Sequence, residues 1–459
     1  MKNRRKYFKW LLLLLLMAAL AVWVASRWNT WFGNPEELAV APLKAPGHVL
    51  LTFGDDNELS RNVSWQCDTM LQPSWLELVC DGDTTRIEAQ GEVYESRNGK
   101  AAYYVARLRE LKPEANYRYC AVTDGKRSPW YVFRTYPEQR DSFSFLFVGD
   151  VQDTIGGIAN RLLMNAWAHH PEVKFLVCGG DLTERPANQH WAETFRTLDG
   201  IGQSLPILNV TGNHDYFKGV IQRLEHRFPL VFSYFLDSRV GDNMVYTLNY
   251  GNAQFFVLDT NREFFYLWTQ RQWLKEQLEK STAKWKILVL HHPLYSIKGG
   301  NNKVQQWMFD DLVHQYGVDL VLQGHEHAYA RMTGHNDEGT VVTPVYTVSH
   351  CSPKNYRIHF DERFDKFGIS SRYYQTISVH GDTLTMAAYD ANTHALYDSL
   401  MIVVNPVKKL KWRPVIDLGK DIPENLEFTP DPDNEKDRKF AERIQEYINA
   451  HSKRQITEN

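Results

Sequence analysis

Five short segments carry the residue types that can hold a pair of metal ions: Gly149-Asp150-Val151-Gln152, Gly180-Asp181, Gly212-Asn213-His214-Asp215, His291-His292-Pro293 and Gly324-His325-Glu326-His327. Their carboxylate, amide and imidazole donors suit divalent cations. A dinuclear site needs one carboxylate shared between ions about 3.5 to 4 Å apart. Asp181 is the candidate bridge, Asp150 a hard anionic ligand of the first ion, and Asn213 a neutral amide-oxygen ligand of the second. Neutrality at Asn213 limits the negative charge met by an anionic substrate. His291, His325 and His327 complete the set, and the alternation of His325 and His327 around Glu326 lets one segment address both ions. Such a centre hydrolyses phosphoesters: two cations lower the pKa of a shared water from 15.7 toward about 7, and the resulting hydroxide attacks phosphorus in line. His214 is the candidate proton donor to the leaving alkoxide, with Asp215 beside it as a candidate to hold the imidazole charged. Any one segment has an ordinary explanation as a helix cap or a turn. Their ordered recurrence at strand ends carries the reading.

Those residues need strands that end where they stand. Apolar runs at Ser142 to Val148, Lys174 to Cys178, Pro206 to Val210, Gln254 to Leu258, Trp285 to Leu290 and Asp319 to Leu322 read as strands buried on both faces. Helical stretches are predicted over Ile158 to His169, near Gln270 to Lys280 and over Val304 to Tyr316. Later runs at Val341 to Val348, Tyr374 to Val379 and Thr383 to Tyr389 read as antiparallel, with Gly381-Asp382 as a hairpin turn. The expected body, 142–404, is an α/β fold of two packed sheets flanked by helices, with ligands in loops at the carboxyl ends of strands. Before it, over 46–137, short alternating runs at Val49 to Phe53, Asn62 to Cys67, Ala102 to Leu108 and Tyr117 to Thr123 predict a small all-β sandwich similar to a fibronectin type III module. Trp65 is its expected core aromatic and Tyr117 its expected tyrosine corner. Residues 405–459 turn polar and proline-interrupted, and end in a predicted helix that Asp433 could cap and whose Phe440, Ile444, Tyr447 and Ile448 form a stripe for packing on the body.

With 459 residues, 43% hydrophobic, the chain can bury a sizeable core in more than one folded unit. A formal charge of -3, from 52 basic and 55 acidic residues, gives no electrostatic footprint for nucleic acid. Lys2, Arg4, Arg5, Lys6 and Lys9 form a basic segment, 1–9, ahead of an uncharged stretch from Trp10 to Ser26. That stretch is at the short end of the roughly 17 to 25 residues that span a bilayer, and the flanking charge places the N-terminus in the cytoplasm and the body outside it. A cleaved signal peptide at Ala19-Leu20-Ala21 is the other reading, and it too exports the body. Among five cysteines, three (Cys67, Cys80 and Cys120) fall in the sandwich, where either one bridge or free thiols is open.

In combination the metal segments resemble the calcineurin-like metallophosphoesterase superfamily over roughly Phe143 to Tyr389. With the sandwich, and with Val289-Leu290-His291-His292-Pro293-Leu294-Tyr295 and Gly324-His325-Glu326-His327-Ala328-Tyr329, the chain most resembles purple acid phosphatases. The resemblance implies a two-sheet metallophosphoesterase sandwich in which Asp150, Asp181 and His327 hold one metal, Asp181, Asn213, His291 and His325 hold the other, and His214 is not a ligand. It departs at Glu184, where a purple enzyme has the tyrosine that colours its ferric iron. Gln152 stands where other members place a histidine, so its amide oxygen is a candidate ligand of the first ion; Mn, Fe, Zn and Mg all stay open. Glu184 reads either as a ligand or as a solvent-facing carboxylate at a helix start. The substrate-side histidines of the plant enzymes are also replaced, near Gly300 and Asn301, leaving Lys298, Asn301 and Asn302 as candidates to meet phosphate. The expected activity is an exported, membrane-anchored hydrolase of small phosphate monoesters. A phosphodiesterase acting on nucleotide, phospholipid or sugar-phosphate substrates, and a noncatalytic surface-binding protein, are the alternatives.

Overall fold

A computed structural model describes residues 2–55, 57–137, 141–219, 221–241, 244–299, 302–404, 412–418 and 422–457. Seven α-helices occur among them: α1 (Lys2–Phe32), α2 (Ala159–His169), α3 (Asn188–Thr197), α4 (Arg227–Val231), α5 (Phe264–Lys280), α6 (Lys303–Gln315) and α7 (Glu435–Thr457).

Two sheets face each other in the body. The first lays Leu396–Val403, Thr383–Asp390, Tyr373–His380, Ser142–Val148, Val173–Cys178 and Ile207–Asn209 side by side. The second runs Tyr246–Tyr250, Ala253–Val257, Trp285–Val289, Leu320–Gln323, Val341–Val348, Tyr329–His335 and Lys366–Gly368. The metal segments follow parallel neighbours: Ser142–Val148 with Val173–Cys178 and Ile207–Asn209, and Trp285–Val289 with Leu320–Gln323. Between the sheets Phe145 stacks on Phe175 with ring centres 4.9 Å apart, and Phe255 meets Phe145 edge-on at 5.3 Å. These rings are fully buried, which is why the strands read as unbroken apolar runs. Outside the second sheet, Leu274 of α5, Phe309 and Leu312 of α6 and Phe440 and Ile444 of α7 build a second core.

The N-terminal sandwich forms as expected. Trp65 is fully buried and donates from Nε1 to Thr123 Oγ1 at 3.0 Å, and Tyr117 Oη accepts from Lys112 N at 2.7 Å, the hydrogen bond of a tyrosine corner. It is not a separate bead. Gly47–Phe53 joins the first sheet of the body through Thr52 paired with Ile207, and Tyr119 Oη donates to Gln203 O at 2.7 Å. The five cysteines are all free thiols, so no bridge forms in the sandwich.

Two terminal expectations need adjusting. The apolar helix does not stop at Ser26: it continues to Phe32, where Trp28 and Phe32, four residues apart, meet at a tilt with ring centres 4.7 Å apart, and Tyr7–Phe32 is long and apolar enough to cross a membrane. At the other end Asn434, not Asp433, caps α7: Asn434 Oδ1 accepts from Lys436 N at 3.0 Å, while Asp433 precedes the helix. Ile448 of the apolar stripe remains exposed.

Candidate metal centre

Four of the five metal segments begin on glycine because their neighbours crowd that position. A Cβ on Gly180, which has φ +91°, would lie 2.5 Å from His291 Nδ1, and one on Gly212 would lie 1.9 Å from Asp181 Oδ1. The loops are bonded to one another: Asp150 N donates to Gly180 O and Gln152 N to Asp181 O, both at 3.2 Å, and Gly324 N donates to His291 O at 3.0 Å.

The seven expected ligands converge in one cluster, five of them buried and Asn213 and His325 half-buried. Asp150, Asp181 and His291 offer ligand atoms within 4.8 Å of one another. Asp181 sits centrally: Oδ1 accepts from His214 N at 2.8 Å, and Oδ2 faces His291 Nε2 at 3.3 Å. Asn213 Oδ1 faces His291 Nε2 at 3.2 Å and His325 Nδ1 at 2.8 Å. His327 Nε2 lies 3.5 Å from Asp150 Oδ1, and both atoms are buried without a hydrogen-bond partner. A buried carboxylate oxygen and a buried imidazole nitrogen left facing each other form a socket for a cation. His291 Nδ1 donates to Gly179 O at 2.8 Å and His327 Nδ1 to Lys354 O at 3.0 Å, which turns both Nε2 lone pairs inward. The donor set therefore fits two divalent ions.

The charges describe the same demand. Burial works against a charged His291, yet Asp181 and Asp150 override it and carry its pKa up to about 9. Burial likewise opposes an ionised Asp181, but His291 and His214 hold its carboxyl well below the usual range. His292, buried beside His291, is pushed down to about 3 and spends Nδ1 on Thr260 Oγ1 at 3.0 Å, outside the ligand set.

Residues 143–329 match the family model described as calcineurin-like phosphoesterase, and residues 46–135 match that of the purple acid phosphatase N-terminal domain. The chain carries a calcineurin-like phosphoesterase domain behind a purple acid phosphatase N-terminal domain. Purple acid phosphatase 15 of Arabidopsis thaliana is 26% identical over 174 residues, which is 36% of this chain and 32% of that protein. Purple acid phosphatase 1 of Ipomoea batatas is 24% identical over 312 residues, 62% of this chain and 64% of that protein. The chain thus matches from about a third to just under two thirds of these relatives' lengths. In fold it is similar to a purple acid phosphatase from yellow lupin (Lupinus luteus) seeds, with a TM-score of 0.64 at 17% identity over 78% of this chain and 74% of that one.

Within the calcineurin-like domain Asp215, Gln152 and Glu184 each have defined partners. Asp215 does not hold His214: its Oδ2 turns back to accept from Gly212 N at 2.7 Å, closing its own turn, and burial together with the Asp181 charge raises its pKa well above the usual range. The backbone does that work instead, since His214 Nδ1 donates to Glu184 O at 2.5 Å. Gln152 Nε2 donates to Asp181 Oδ2 at 3.1 Å, which orients that carboxylate. Glu184 is not a solvent-facing helix start: it lies three residues ahead of the α3 cap, half-buried, pairs through Oε1 with Lys354 Nζ at 2.8 Å and leaves Oε2 buried without a hydrogen-bond partner. Gly300 and Asn301 lie outside the described residues, while Asn302 is buried at the start of α6 with Nδ2 unpaired.

Two neighbours of the calcineurin-like centre escaped sequence reading. Arg185 Nη1 approaches His214 Nε2 at 3.5 Å, and Tyr356 stacks on His327 with ring centres 4.0 Å apart. Lys298 Nζ lies over the Tyr356 ring at 4.2 Å. Arg185 directly follows Glu184, so a cation one residue beyond a departure from the family pattern was a usable signal. Tyr356 had none, because only the folded chain brings it across to the metal segments.

Proposed function

We propose that this protein is a dinuclear metal-dependent phosphatase that hydrolyses phosphate monoesters, with Asp150, Asp181 and His327 on one divalent ion and Asp181, Asn213, His291 and His325 on the other. The observation that carries it is the pair of buried, unpartnered atoms Asp150 Oδ1 and His327 Nε2 facing each other beside the Asp181–His291–Asn213 cluster. Mn, Fe, Zn and Mg all suit these oxygen and imidazole donors. Two such ions supply Lewis-acid polarisation of the phosphoryl group and activation of water for in-line attack.

The protein's own groups do the rest. Asp181 and Asn213, fixed by the His214 N and imidazole contacts, set where the phosphoryl group sits. His214, with Nδ1–H tied to the Glu184 carbonyl, turns Nε2 toward Arg185 and the centre, where it would carry the proton that the leaving alkoxide needs. Arg185, 3.5 Å from that nitrogen, and Lys298 above Tyr356 place positive charge around an otherwise acidic centre, which favours an anionic ester over a neutral one. The apolar helix α1 anchors the body outside the cytoplasm, and the basic segment before it stays inside. The substrate is a small phosphorylated molecule, and the near-neutral charge balance favours no nucleic-acid partner.

The test is turnover by purified full-length protein reconstituted with Mn or Zn, on para-nitrophenyl phosphate and on its bis ester. Hydrolysis of the monoester alone supports the proposal; hydrolysis of the bis ester alone moves the protein to the phosphodiesterases. Fewer than about one bound metal per chain, with no turnover of either, makes it a noncatalytic protein.

A further inference from the structure

Resting on the phosphatase reading above, we infer that the mouth of the metal centre is held against a lipid bilayer and that the substrate is a phosphate monoester on a membrane lipid. The apolar length of α1, Tyr7–Phe32, is exposed apart from the half-buried Val24 and Phe32 and at 1.5 Å per residue is about 39 Å long, more than the roughly 30 Å of bilayer hydrocarbon. It is not joined to the body by slack chain. Asn34, two residues beyond the helix, is locked to Lys218 in both directions: its Nδ2 donates to Lys218 O at 3.0 Å and its Oδ1 accepts from Lys218 N at 2.8 Å. Leu38 N donates to Gln189 Oε1 at 3.1 Å, Gln189 Nε2 donates to Glu36 O at 2.8 Å, and Glu37 Oε1 accepts from Asn188 N at 3.0 Å.

Both attachment points lie just beyond metal segments in sequence. Lys218 lies four residues beyond His214, a reach of at most about 14 Å, and Asn188 and Gln189 open the helix that follows Asp181, Glu184 and Arg185. A helix that leaves the bilayer therefore delivers the chain directly to the rim of the site.

That rim is apolar in a way a water-facing mouth need not be. Ile221, Phe264, Phe265, Trp268, Val304 and Trp307 are all exposed, Phe265 at 82% and Trp307 at 63%. They are not scattered. Ile221 and Phe265 line one cavity of about 650 Å³, and Phe264 stacks on Trp307 with ring centres 5.9 Å apart. The helix bearing Phe264 and Phe265 begins three residues after Asn261, whose amide donates to Thr211 O at 2.8 Å, two residues before Asn213. Clustered exposed aromatics mark a surface that meets something apolar, and tryptophan at the end of a membrane helix belongs at the head-group level. Lys218 and Arg185 supply positive charge at the same edge, matching anionic head groups.

The occupant that satisfies the helix, the rim and the basic edge together is the bilayer from which α1 emerges. Hydrolysis would break the bond between phosphorus and the lipid oxygen. The water oxygen goes to phosphorus, the lipid alkoxide takes a proton from His214, the proton released by the attacking water restores His214 by way of solvent, inorganic phosphate leaves to water, and the alcohol stays in the membrane.

The experiment uses the full chain, loaded with Mn, in phosphatidylcholine vesicles that contain phosphatidate, with para-nitrophenyl phosphate as the soluble comparison. The wild type is expected to release phosphate from both. The double variant Phe265→Ser, Trp307→Ser is expected to lose vesicle turnover at least tenfold while keeping soluble turnover within twofold, which also shows that it folds. Phe265→Leu, Trp307→Tyr should restore the vesicle rate. Turnover of the soluble ester with phosphatidate untouched, or vesicle turnover unaffected by the serine variant, overturns the inference and leaves the phosphatase reading intact. Vesicle turnover kept, with a changed oligomeric mass in the serine variant, would assign the rim to a second copy of the chain. No turnover of either substrate by the wild type overturns the phosphatase reading itself.

Discussion

Replacing Gly212 by alanine tests whether Asp181 must stand where it does. Gly212 has φ −101° and ψ 174°, an extended conformation open to any residue, so the substitution carries no backbone strain of its own. Its cost lies in contact: the new Cβ would fall 1.9 Å from Asp181 Oδ1, 2.5 Å from Cγ and 2.4 Å from the backbone nitrogen. Ordinary contact begins near 3.4 Å, so the carboxylate must retreat by about 1.5 Å. It cannot simply rotate away, because Oδ1 is held by His214 N at 2.8 Å and Oδ2 by Gln152 Nε2 at 3.1 Å. A misplacement of about 1 Å at reacting groups costs on the order of 10²-fold, or roughly 2.7 kcal/mol of barrier. Gly212→Ala should therefore lower kcat/KM for para-nitrophenyl phosphate at least about 10²-fold and reduce metal content below two ions per chain, with near-native circular dichroism. Metal content by mass spectrometry and initial rates in Mn decide it. Two full metal equivalents together with turnover within about threefold of the parent would refute the role given to Asp181.

His214→Ala should lower kcat by roughly 10² to 10⁴ with both metals retained; metal loss instead would make His214 a ligand. Asp398→Ala should destabilise the body by about 1 to 3 kcal/mol in urea unfolding, because it removes one of the two carboxylates on the buried Arg331, the 2.7 Å partner, leaving Asp365 at 2.9 Å, and also removes the acceptor of Tyr329 Oη at 2.8 Å. Burial lifts the Asp319 carboxyl from 3.8 to about 6, despite Arg413 at 2.9 Å. The folded state thus holds this proton more tightly than the unfolded chain, and the stability it confers, about 3 kcal/mol, is full below 3.8 and lost as pH rises through 6. Asp319→Asn should accordingly flatten the fall in melting temperature between about pH 4 and pH 7, measured by calorimetry.

What the sequence made legible follows from what burial does to composition. Ser142–Val148 and Val341–Val348 occupy the predicted spans because a strand covered on both faces has no reason to admit charge. The hairpin at Gly381-Asp382 was equally plain: His380 pairs with Thr383, and Gly381 takes φ +55°. Asp83–Ser96, by contrast, gave no signal, since most of its residues face water and its pairing with Gly99–Leu108 is a backbone matter. Helix α5 begins six residues ahead of its predicted start because Phe264, Phe265 and Trp268 project outward, against the amphipathic pattern from which a helix is read. At the site, ligand types were readable but orientations were not. Nothing in Asn213-His214-Asp215 says that the carboxylate turns to Gly212 N and leaves His214 to the carbonyl of Glu184, thirty residues away.

The cluster is also built against local preference. Asp150, Gln152, Asp181 and His325 all take positive φ, at 42°, 31°, 52° and 70°, where an L side chain costs about 1 to 2 kcal/mol relative to an ordinary conformation. Glycine would relieve each strain and remove the functional group with it. The surrounding chain holds these residues in place instead: His214 N donates to Asp181 at 2.8 Å and Gly324 N to His291 O at 3.0 Å, each tying neighbouring loops of one sheet, and Cys351 N donates to Gly149 O at 2.8 Å across from one sheet to the other. Asp150 and Asp181 are moreover buried near each other, an arrangement that repels itself unless positive charge enters. Strained ligands, tethered loops and crowded carboxylates are a poor solution for stability alone. They are the arrangement expected where rigid strand ends pre-set ligand directions, so that cations meet a formed site and neutralise the repulsion stored there.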